Sequence, residues 1–231
     1  LQAVFDGLDP LEVRTDESTL YLVTSGRSRL RQASQLPARL ASDAEGYVVA
    51  TGDSTATTYY TWNYASASWL ESSTYTTITG VSDVPISIRK SGGAYILDAT
   101  QFEGRLAGDS NSNPTHSFIT NGRITGMAAY QGRLVLLSGN MVSMSATNKP
   151  RRFFRSTVTS LLDSDPIEIG SGNITSANFT YAVAFNKDLV LFADRVQAVI
   201  PSLNTALTPR NAALVLTGTY NTLLTAQPAA S

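Results

Sequence analysis

The chain has 231 residues, with 17 basic and 18 acidic side chains and no cysteine, so it is long enough to bury a core in one or two domains. A formal net charge of −1 argues against high-affinity binding of nucleic acid, and the low share of charged residues, 15%, excludes charge-driven disorder and a coiled coil. The absence of cysteine excludes disulfides and thiolate metal sites. No apolar run reaches the roughly 18 residues of a membrane helix, so we expect no membrane insertion by this segment.

Short segments rich in Val, Thr, Tyr and Leu follow one another along the chain, each bounded by Gly, Asn, Asp or Pro. This pattern is typical of β-strands. The predicted strands cover residues 20–24, 47–51, 58–64, 86–89, 94–97, 134–138, 141–145, 189–193, 196–200 and 213–217. Helix is predicted only at 34–44, despite Pro37, and at 152–162, where apolar residues could form one stripe. The sequence therefore predicts an all-β fold of antiparallel hairpins with little helix.

A repeat organises the second half of the chain. Residues 124–146 align without a gap to residues 179–201, at an offset of about 55 residues. In both copies a strand of small residues reaches an aromatic residue, Tyr130 or Phe185, and Leu-Val-Leu then leads into a second hairpin. A shorter stretch, 19–33, suggests a third copy. We expect the two Leu-Val-Leu segments to be central strands of consecutive sheets packed face to face.

A repeat of this length with several strands is typical of β-propeller blades, although hairpins can also look alike by chance. We interpret 1–231 as the central β-propeller-type segment of a longer chain, because it opens on Leu1 without a cap and ends in small polar residues. Repeat-like units are expected near 1–46, 121–175 and 176–231, with a less regular β region at 47–120.

Several short motifs occur in a characteristic order. They are Arg105-Leu106-Ala107-Gly108-Asp109, Asn113-Pro114, Gly132-Arg133-Leu134-Val135-Leu136-Leu137-Ser138-Gly139-Asn140, Asp163-Ser164-Asp165-Pro166-Ile167, Phe185-Asn186-Lys187-Asp188-Leu189-Val190-Leu191-Phe192 and Leu207-Thr208-Pro209. In order and spacing they resemble the nozzle protein family, also called tail tubular protein B, of short-tailed bacteriophages (podoviruses). One departure is Ala198, which stands where an aromatic residue is expected after Gln197.

The resemblance implies a structural virion protein of the phage tail that is not an enzyme and needs no cofactor. It implies a homo-oligomer, a hexameric ring with β-propeller domains in its wall, that forms the distal tail tube. The implied partners are the adaptor (tail tubular protein A), nearby tail fibres and double-stranded genomic DNA, which touches the lumen transiently and without sequence preference during ejection. The implied localisation is the virion tail, after assembly in the host cytoplasm.

Residues that could carry chemistry are few. His116 is the only histidine, so a catalytic triad could be built only around it, and we interpret it as a loop or interface residue. Asp163, Asp165 and Glu168 could form a cation loop or a carboxylate pair, but Asp-Ser-Asp-Pro is itself typical of a turn. We therefore predict no catalytic or metal-binding residue.

An aromatic group leaves open an alternative function, a carbohydrate-binding or polysaccharide-depolymerising tail component. Its members are Tyr59, Tyr60, Trp62, Tyr64 and Trp69. Strand alternation places Tyr60, Trp62 and Tyr64 opposite Tyr59, so about half of the group is expected in the core or at a subunit interface.

Two basic groups are the remaining candidates for an interface or a contact with DNA in the channel. They are Arg27, Arg29 and Arg31 in one stretch, and Lys149, Arg151, Arg152 and Arg155 in the other. In a strand, the first three would lie on one face and form a positive stripe. A solvated surface, a row of intersubunit salt bridges and a lumen surface remain open for both groups, because arginine suits carboxylates and phosphates equally.

Overall fold

The structure, a computed structural model, describes residues 11–16, 19–24, 28–40, 42–74, 80–81, 86–99, 102–121, 123–170, 177–202 and 205–230. These residues contain one α-helical turn, α1 (Ser117–Thr120), and two 3₁₀ turns. No helix among them has the length and apolar character needed to span a bilayer. The strands are β1 (Leu11–Asp16), β2 (Thr19–Thr24), β3 (Ser28–Leu30), β4 (Val48–Thr51), β5 (Thr58–Asn63), β6 (Ser68–Ser72), β7 (Gly80–Val81), β8 (Ile86–Ser91), β9 (Ala94–Ala99), β10 (Phe102–Glu103), β11 (Gly126–Tyr130), β12 (Arg133–Ser138), β13 (Met141–Met144), β14 (Ile167–Gly170), β15 (Tyr181–Phe185), β16 (Asp188–Phe192), β17 (Gln197–Ile200) and β18 (Val215–Gly218). All ten predicted strands overlap one of them, and the all-β prediction is confirmed.

The described strands form three sheets of four strands and three of two strands, β1–β2, β7–β10 and β8–β9. The chain divides into two compact units, and neither is continuous in sequence. The first consists of Leu1–Ile78, Arg105–Pro114 and Ser156–Ser160. The second consists of Thr79–Gly104, Thr115–Arg155 and Leu161–Ser231.

The first unit is built on the sheet β3–β4–β5–β6, in which β3 runs parallel to β4 and the other neighbours are antiparallel. Trp62 of β5 is buried on one face, where it packs with Leu40. Tyr59 lies on the opposite face and is also buried, with its hydroxyl 3.3 Å from the Asp109 carboxylate. Trp62 and Tyr59 are therefore buried on the two faces of β5. Of the five aromatic residues considered as a sugar platform, Tyr64 is the most exposed, at 40%.

The second unit contains two four-stranded antiparallel sheets, β11–β12–β13–β14 and β15–β16–β17–β18. Their first three strands have the same register. Gly126 pairs with Leu137, and Tyr181 pairs with Phe192 exactly where an offset of 55 residues places it. The same offset relates the β12–β13 pairs to the β16–β17 pairs. The repeat in the sequence therefore corresponds to a repeated three-stranded unit in the structure.

These two sheets pack face to face around one apolar core. Its fully buried side chains include Val135, Leu137 and Met144 from the first sheet and Leu189, Leu191 and Ile200 from the second. The second sheet thus uses the face opposite to the one that the first sheet uses, since the 55-residue equivalents of Val135 and Leu137 are Val190 and Phe192, which point away. We call this arrangement head to tail, because the two sheets use opposite faces for their contact. Both Leu-Val-Leu segments occupy central strands of the stacked sheets, as predicted.

The other face of the β11–β14 sheet is covered by aromatic residues. Leu136 is 1% exposed and packs with Phe102, Phe118 and Phe153. The rings of Phe118 and Phe153 meet edge to face, with centroids 4.7 Å apart. Helix α1 is too short to stabilise itself, so this ring cluster is what holds it on the sheet. The first sheet of the stack is therefore buried on both sides.

Three local predictions are wrong. Residues 34–44 contain only two short 3₁₀ turns, Ala33–Gln35 and Ser42–Ala44, because Pro37 offers no backbone N–H to a longer helix. Residues 152–162 are not helical, because the backbone N–H of Val158 donates to the Glu71 carboxylate instead. The suggested third hairpin does not form between β2 and β3, since β2 pairs with β1 and β3 with β4.

The unit boundaries at 1–46, 47–120, 121–175 and 176–231 stay a prediction, as does the closure of the sheets into a propeller.

Candidate functional site

The first basic group lies at the start of the β3 strand. Arg29 is exposed in β3, with its Nη1 3.4 Å from the Gly52 carbonyl oxygen, while the next residue, Leu30, is buried at 5% exposure. Arg31 is exposed directly after the strand. Arg27 lies outside the described residues. Arg29 and Arg31 are thus available on the surface of the first unit, and the three-residue stripe stays a prediction.

The second basic group divides into two kinds of residue. The Nε of Arg152 lies 2.5 Å from the Glu103 carboxylate, and the Nε of Arg155 lies 3.4 Å from the buried Asp165 carboxylate. Lys149 and Arg151 are exposed instead. The four residues form one group in the sequence. In the structure, Arg152 and Arg155 form ion pairs within the fold. Lys149 and Arg151 lie on its surface.

Backbone hydrogen bonds hold the turn that carries Lys149 and Arg151. The N–H of Lys149 donates to the Ala146 carbonyl, and the N–H of Arg152 donates to the Lys149 carbonyl. The carbonyl of Arg151 accepts the N–H of Glu103 from β10. Immediately after the turn, Phe153 is 1% exposed and anchors the chain in the aromatic cluster. The two exposed cations therefore project from a fixed turn.

Arg133 is a structural centre that the sequence does not identify. It is 2% exposed, and its guanidinium donates to four backbone carbonyls. These are the carbonyls of Ser145 (2.8 Å), Asp165 (2.7 Å), Asp163 (2.9 Å) and Leu207 (3.3 Å). Burial lowers the pKa of Arg133, and the negative charge of Asp165 opposes this shift. A single cation thus joins the end of β13, the 163–165 turn and the loop after β17.

The three acidic residues of 163–168 do not converge. Asp163 is exposed and forms an ion pair with Arg210, with Oδ1 2.6 Å from Nη1. The Asp165 carboxylate accepts the backbone N–H of Leu162 and so closes the turn. Glu168 accepts the N–H of Ser117 at the start of α1. The turn interpretation is confirmed, and the described part of the chain holds no group of three metal-ligating side chains.

His116 lies in the loop directly before α1, as expected from the sequence, but its side chain is buried in the core. It is 6% exposed, and its ring packs edge to face against Phe118 and Phe153. Its Nδ1 is buried and has no hydrogen-bond partner in the structure. Burial lowers the pKa of His116, and the charge of Glu168 opposes this. The His116 ring is therefore part of the packing of the aromatic cluster.

The first sequence motif, at 105–114, forms a loop that extends a sheet. The N–H of Gly108 donates to Ser72 at the end of β6, and Gly108 in turn accepts the N–H of Thr74. Asp109 accepts the N–H groups of Asn111 and Ser112, which fixes the turn. Arg105 is buried and its Nε donates to the Asn113 carbonyl. The motif therefore has a role in folding, since it fixes this loop against the end of β6.

The described residues thus form stacked sheets in which most of the candidate polar and charged side chains make hydrogen bonds or ion pairs within the fold. The described residues bring no catalytic set together. The chain belongs to the bacteriophage nozzle protein family, which it matches over residues 12–231. It is also 28% identical over 141 residues to tail tubular protein gp12 of Escherichia phage T7, a match that covers 61% of this chain and 18% of that protein. The chain is therefore a structural protein of the phage tail in the virion.

Proposed function

We propose that the chain forms part of the wall of the distal tail tube, the nozzle, through which double-stranded genomic DNA is ejected. In this proposal several copies, six by family resemblance, form a ring that contacts the adaptor (tail tubular protein A) on one side, with tail fibres nearby. Membership of the nozzle family and the name of the T7 relative support this assignment.

The head-to-tail stack is the observation that carries the proposal. The two sheets are related by a constant offset of 55 residues, and their strands pair in the same register. They contact each other through opposite faces. Repeating such a relation generates a curved series of sheets, which is the principle of a β-propeller. A wall built this way buries its apolar residues between sheets and needs neither disulfide nor metal.

Charge suits a conduit. Each neutralised phosphate adds salt-dependent affinity, so a basic lumen would retain DNA during passage. The chain has a net charge of −1, and the structure commits Arg152 and Arg155 to internal ion pairs. We propose that Lys149 and Arg151, together with Arg29 and Arg31, contact either a neighbouring subunit or passing DNA.

We also propose that this segment has no catalytic activity. The single histidine is sealed among phenyl rings, and Asp163, Asp165 and Glu168 are used by separate hydrogen bonds. A polysaccharide-binding platform is not favoured either, since Tyr59 and Trp62 are buried.

Electron microscopy of the native tail polypeptide, alone and with its adaptor, tests the proposal. We expect rings of six copies at the distal end of the tail. A polypeptide that stays monomeric even with the adaptor present would refute the conduit.

Charge reversal separates the two roles of the exposed cations. Arg151→Glu should break the rings if Arg151 contacts a subunit, or leave rings intact with altered ejection if it faces the lumen. Arg195→Glu, at an exposed hairpin loop, is the control for the same change in charge. Intact rings and unchanged ejection for Arg151→Glu would refute its assignment to either surface.

A further inference from the structure

Strands β8 and β9 form a hairpin that pairs with no other strand of the described residues. Its turn is Gly92-Gly93, with φ values of +57° and +85°, the left-handed conformation of a tight two-residue hairpin turn. Since β8 and β9 pair only with each other, each strand has one open edge of backbone N–H and C=O groups. The hairpin is therefore a two-stranded sheet with two different open edges.

One face of this hairpin is apolar and exposed. Ile88 and Leu97 pair directly across the two strands, and they are 67% and 70% exposed. Tyr95, two residues from Leu97 and so on the same face, is 73% exposed. A lone two-stranded hairpin is marginally stable in water and needs a further strand or a packed surface. An exposed apolar group of this kind marks a site of interaction.

The two open edges carry opposite charges. Strand β8 contains Arg89 and Lys90 and no acidic residue, whereas the one charged residue of β9 is Asp98. Opposite charges on neighbouring strands stabilise their pairing, and like charges oppose it. The β8 edge therefore favours an acidic strand and the β9 edge a basic one. A second copy of the chain supplies both, its own β9 for the first edge and its own β8 for the second.

We propose that β8 of one copy pairs with β9 of the neighbouring copy, so that the hairpins of adjacent subunits form one continuous sheet. This inference rests on the proposed function, because it names the contact through which copies in the ring bind each other. All copies in a ring share one orientation, and β8 and β9 run in opposite directions, so the pairing is antiparallel. Backbone hydrogen bonds along six-residue strands then supply the contact.

The use of two different edges determines the symmetry of the assembly. A contact between β8 and β9 is heterologous, and heterologous contacts that close by rotation give rings. Pairing of β8 with β8 would instead give a two-fold dimer and would place Arg89 and Lys90 of both copies side by side. Charge therefore favours the arrangement that builds a ring. The exposed faces with Ile88, Tyr95 and Leu97 become continuous from one copy to the next.

Disulfide trapping tests the proposal, because the chain contains no cysteine of its own. Ile88→Cys and Lys90→Cys place a thiol on β8, and Tyr95→Cys and Leu97→Cys place one on β9. Each single substitution is made in a separate sample of the native tail polypeptide, with any cysteine elsewhere in it replaced by serine. One β8 variant and one β9 variant are mixed before assembly with the adaptor and are then mildly oxidised. Arg195→Cys, in an exposed hairpin loop, replaces the β9 variant in the control.

The geometry makes the disulfides specific. A disulfide needs Cβ atoms about 3.5–4.5 Å apart, which directly opposite residues on paired strands approach. Equivalent residues of neighbouring copies would lie two strands apart, about 9–10 Å, and would not react. The mixtures cover the register of the hairpin itself and a shift of two residues in either direction.

In a random mixture, about a quarter of the contacts bring a β8 thiol to a β9 thiol. We therefore expect disulfide-linked dimers in at least one mixture, at least about tenfold more abundant than in either variant alone or in the Arg195→Cys control. Rings with no disulfide above the control in any mixture would overturn the proposal. Disulfides in a single variant alone would also overturn it, because like strands would then be paired.

The outcomes separate this inference from the proposed function. Rings that form normally without these disulfides would refute the paired hairpins and leave the tail tube standing. Disulfides between β8 and β9 in assemblies other than rings would support the pairing and refute the tail tube. A polypeptide that stays monomeric with its adaptor present would refute both.

Discussion

Replacing Arg133 by methionine tests whether one buried cation holds three loops of the second unit together. The substitution keeps most of the apolar stem but removes donors to four carbonyls, two of them, those of Ser145 and Asp165, within 2.8 Å. A hydrogen bond to a charged group contributes about 1.5–3 kcal/mol, and the contributions do not add fully. With part of the loss offset by easier burial of methionine, we expect the free energy of unfolding to fall by about 3 kcal/mol.

Amide hydrogen exchange followed by mass spectrometry measures this loss where it occurs. Peptides from β12 and from the 205–207 loop should exchange about a hundredfold faster in Arg133→Met, since 1.4 kcal/mol corresponds to about tenfold. Arg133→Lys keeps the charge but not the fork of donors, so it should give an intermediate value. Arg123→Met, at an exposed site, is the control. A loss below about 1 kcal/mol for Arg133→Met would refute the conclusion that Arg133 holds these loops together.

Three further predictions concern the buried leucines, the loop at Gly108 and the titration of His116. Leu136→Ala and Leu191→Ala should each lower the free energy of unfolding by about 2–5 kcal/mol, because both side chains are buried, and near-native urea midpoints would contradict their placement. Gly108→Ala should lower the urea midpoint of unfolding more than Gly46→Ala does. The two glycines have similar φ values, +71° and +76°, but only at Gly108 would a Cβ meet side-chain atoms within 3 Å. Equal losses of stability would refute that clash. Burial lowers the pKa of His116 in the folded chain below its ordinary value of about 6.5. The unfolded chain therefore binds more protons as the pH falls through about 6.5, so stability should decrease as the pH is lowered through that value. The fall should be smaller in His116→Gln, and identical pH profiles would contradict the assignment.

Local patterns predict the strands and the stack. Leu-Val-Leu between turn residues identifies β12 and β16, and the gap-free repeat fixes their equivalence. The pairing register of β16 with its neighbours then follows from burial. A shift by one residue would turn Leu189 and Leu191 out of the core. The parallel pairing of β3 with β4, in which Ser28 pairs with Val49, could not be predicted. The two strands are far apart in sequence, and no sequence pattern links them.

The functions of individual polar residues depend on partners far along the chain. Arg133 reaches carbonyls from 12 to 74 residues away, so no local motif reports its role. His116 is buried because Phe153 closes over it. The side chain of Arg152 contacts the Glu103 carboxylate, 49 residues earlier, whereas that of its neighbour Arg151 is exposed. In the sequence, Arg133 is marked only by its position at the start of an apolar strand, which does not report these contacts.

The discontinuous make-up of the two units has a consequence for genetic exchange between related phages. The backbone passes from one unit to the other five times, and the short segments 105–114 and 156–160 belong to a unit whose strands are encoded mainly before residue 79. A crossover between residues 79 and 160 therefore gives that unit strands from one parent and completing loops from the other. The Glu71 carboxylate, which accepts the Val158 N–H at 2.7 Å, would then meet a foreign partner. Viable recombinants should accordingly have their breakpoints outside this interval.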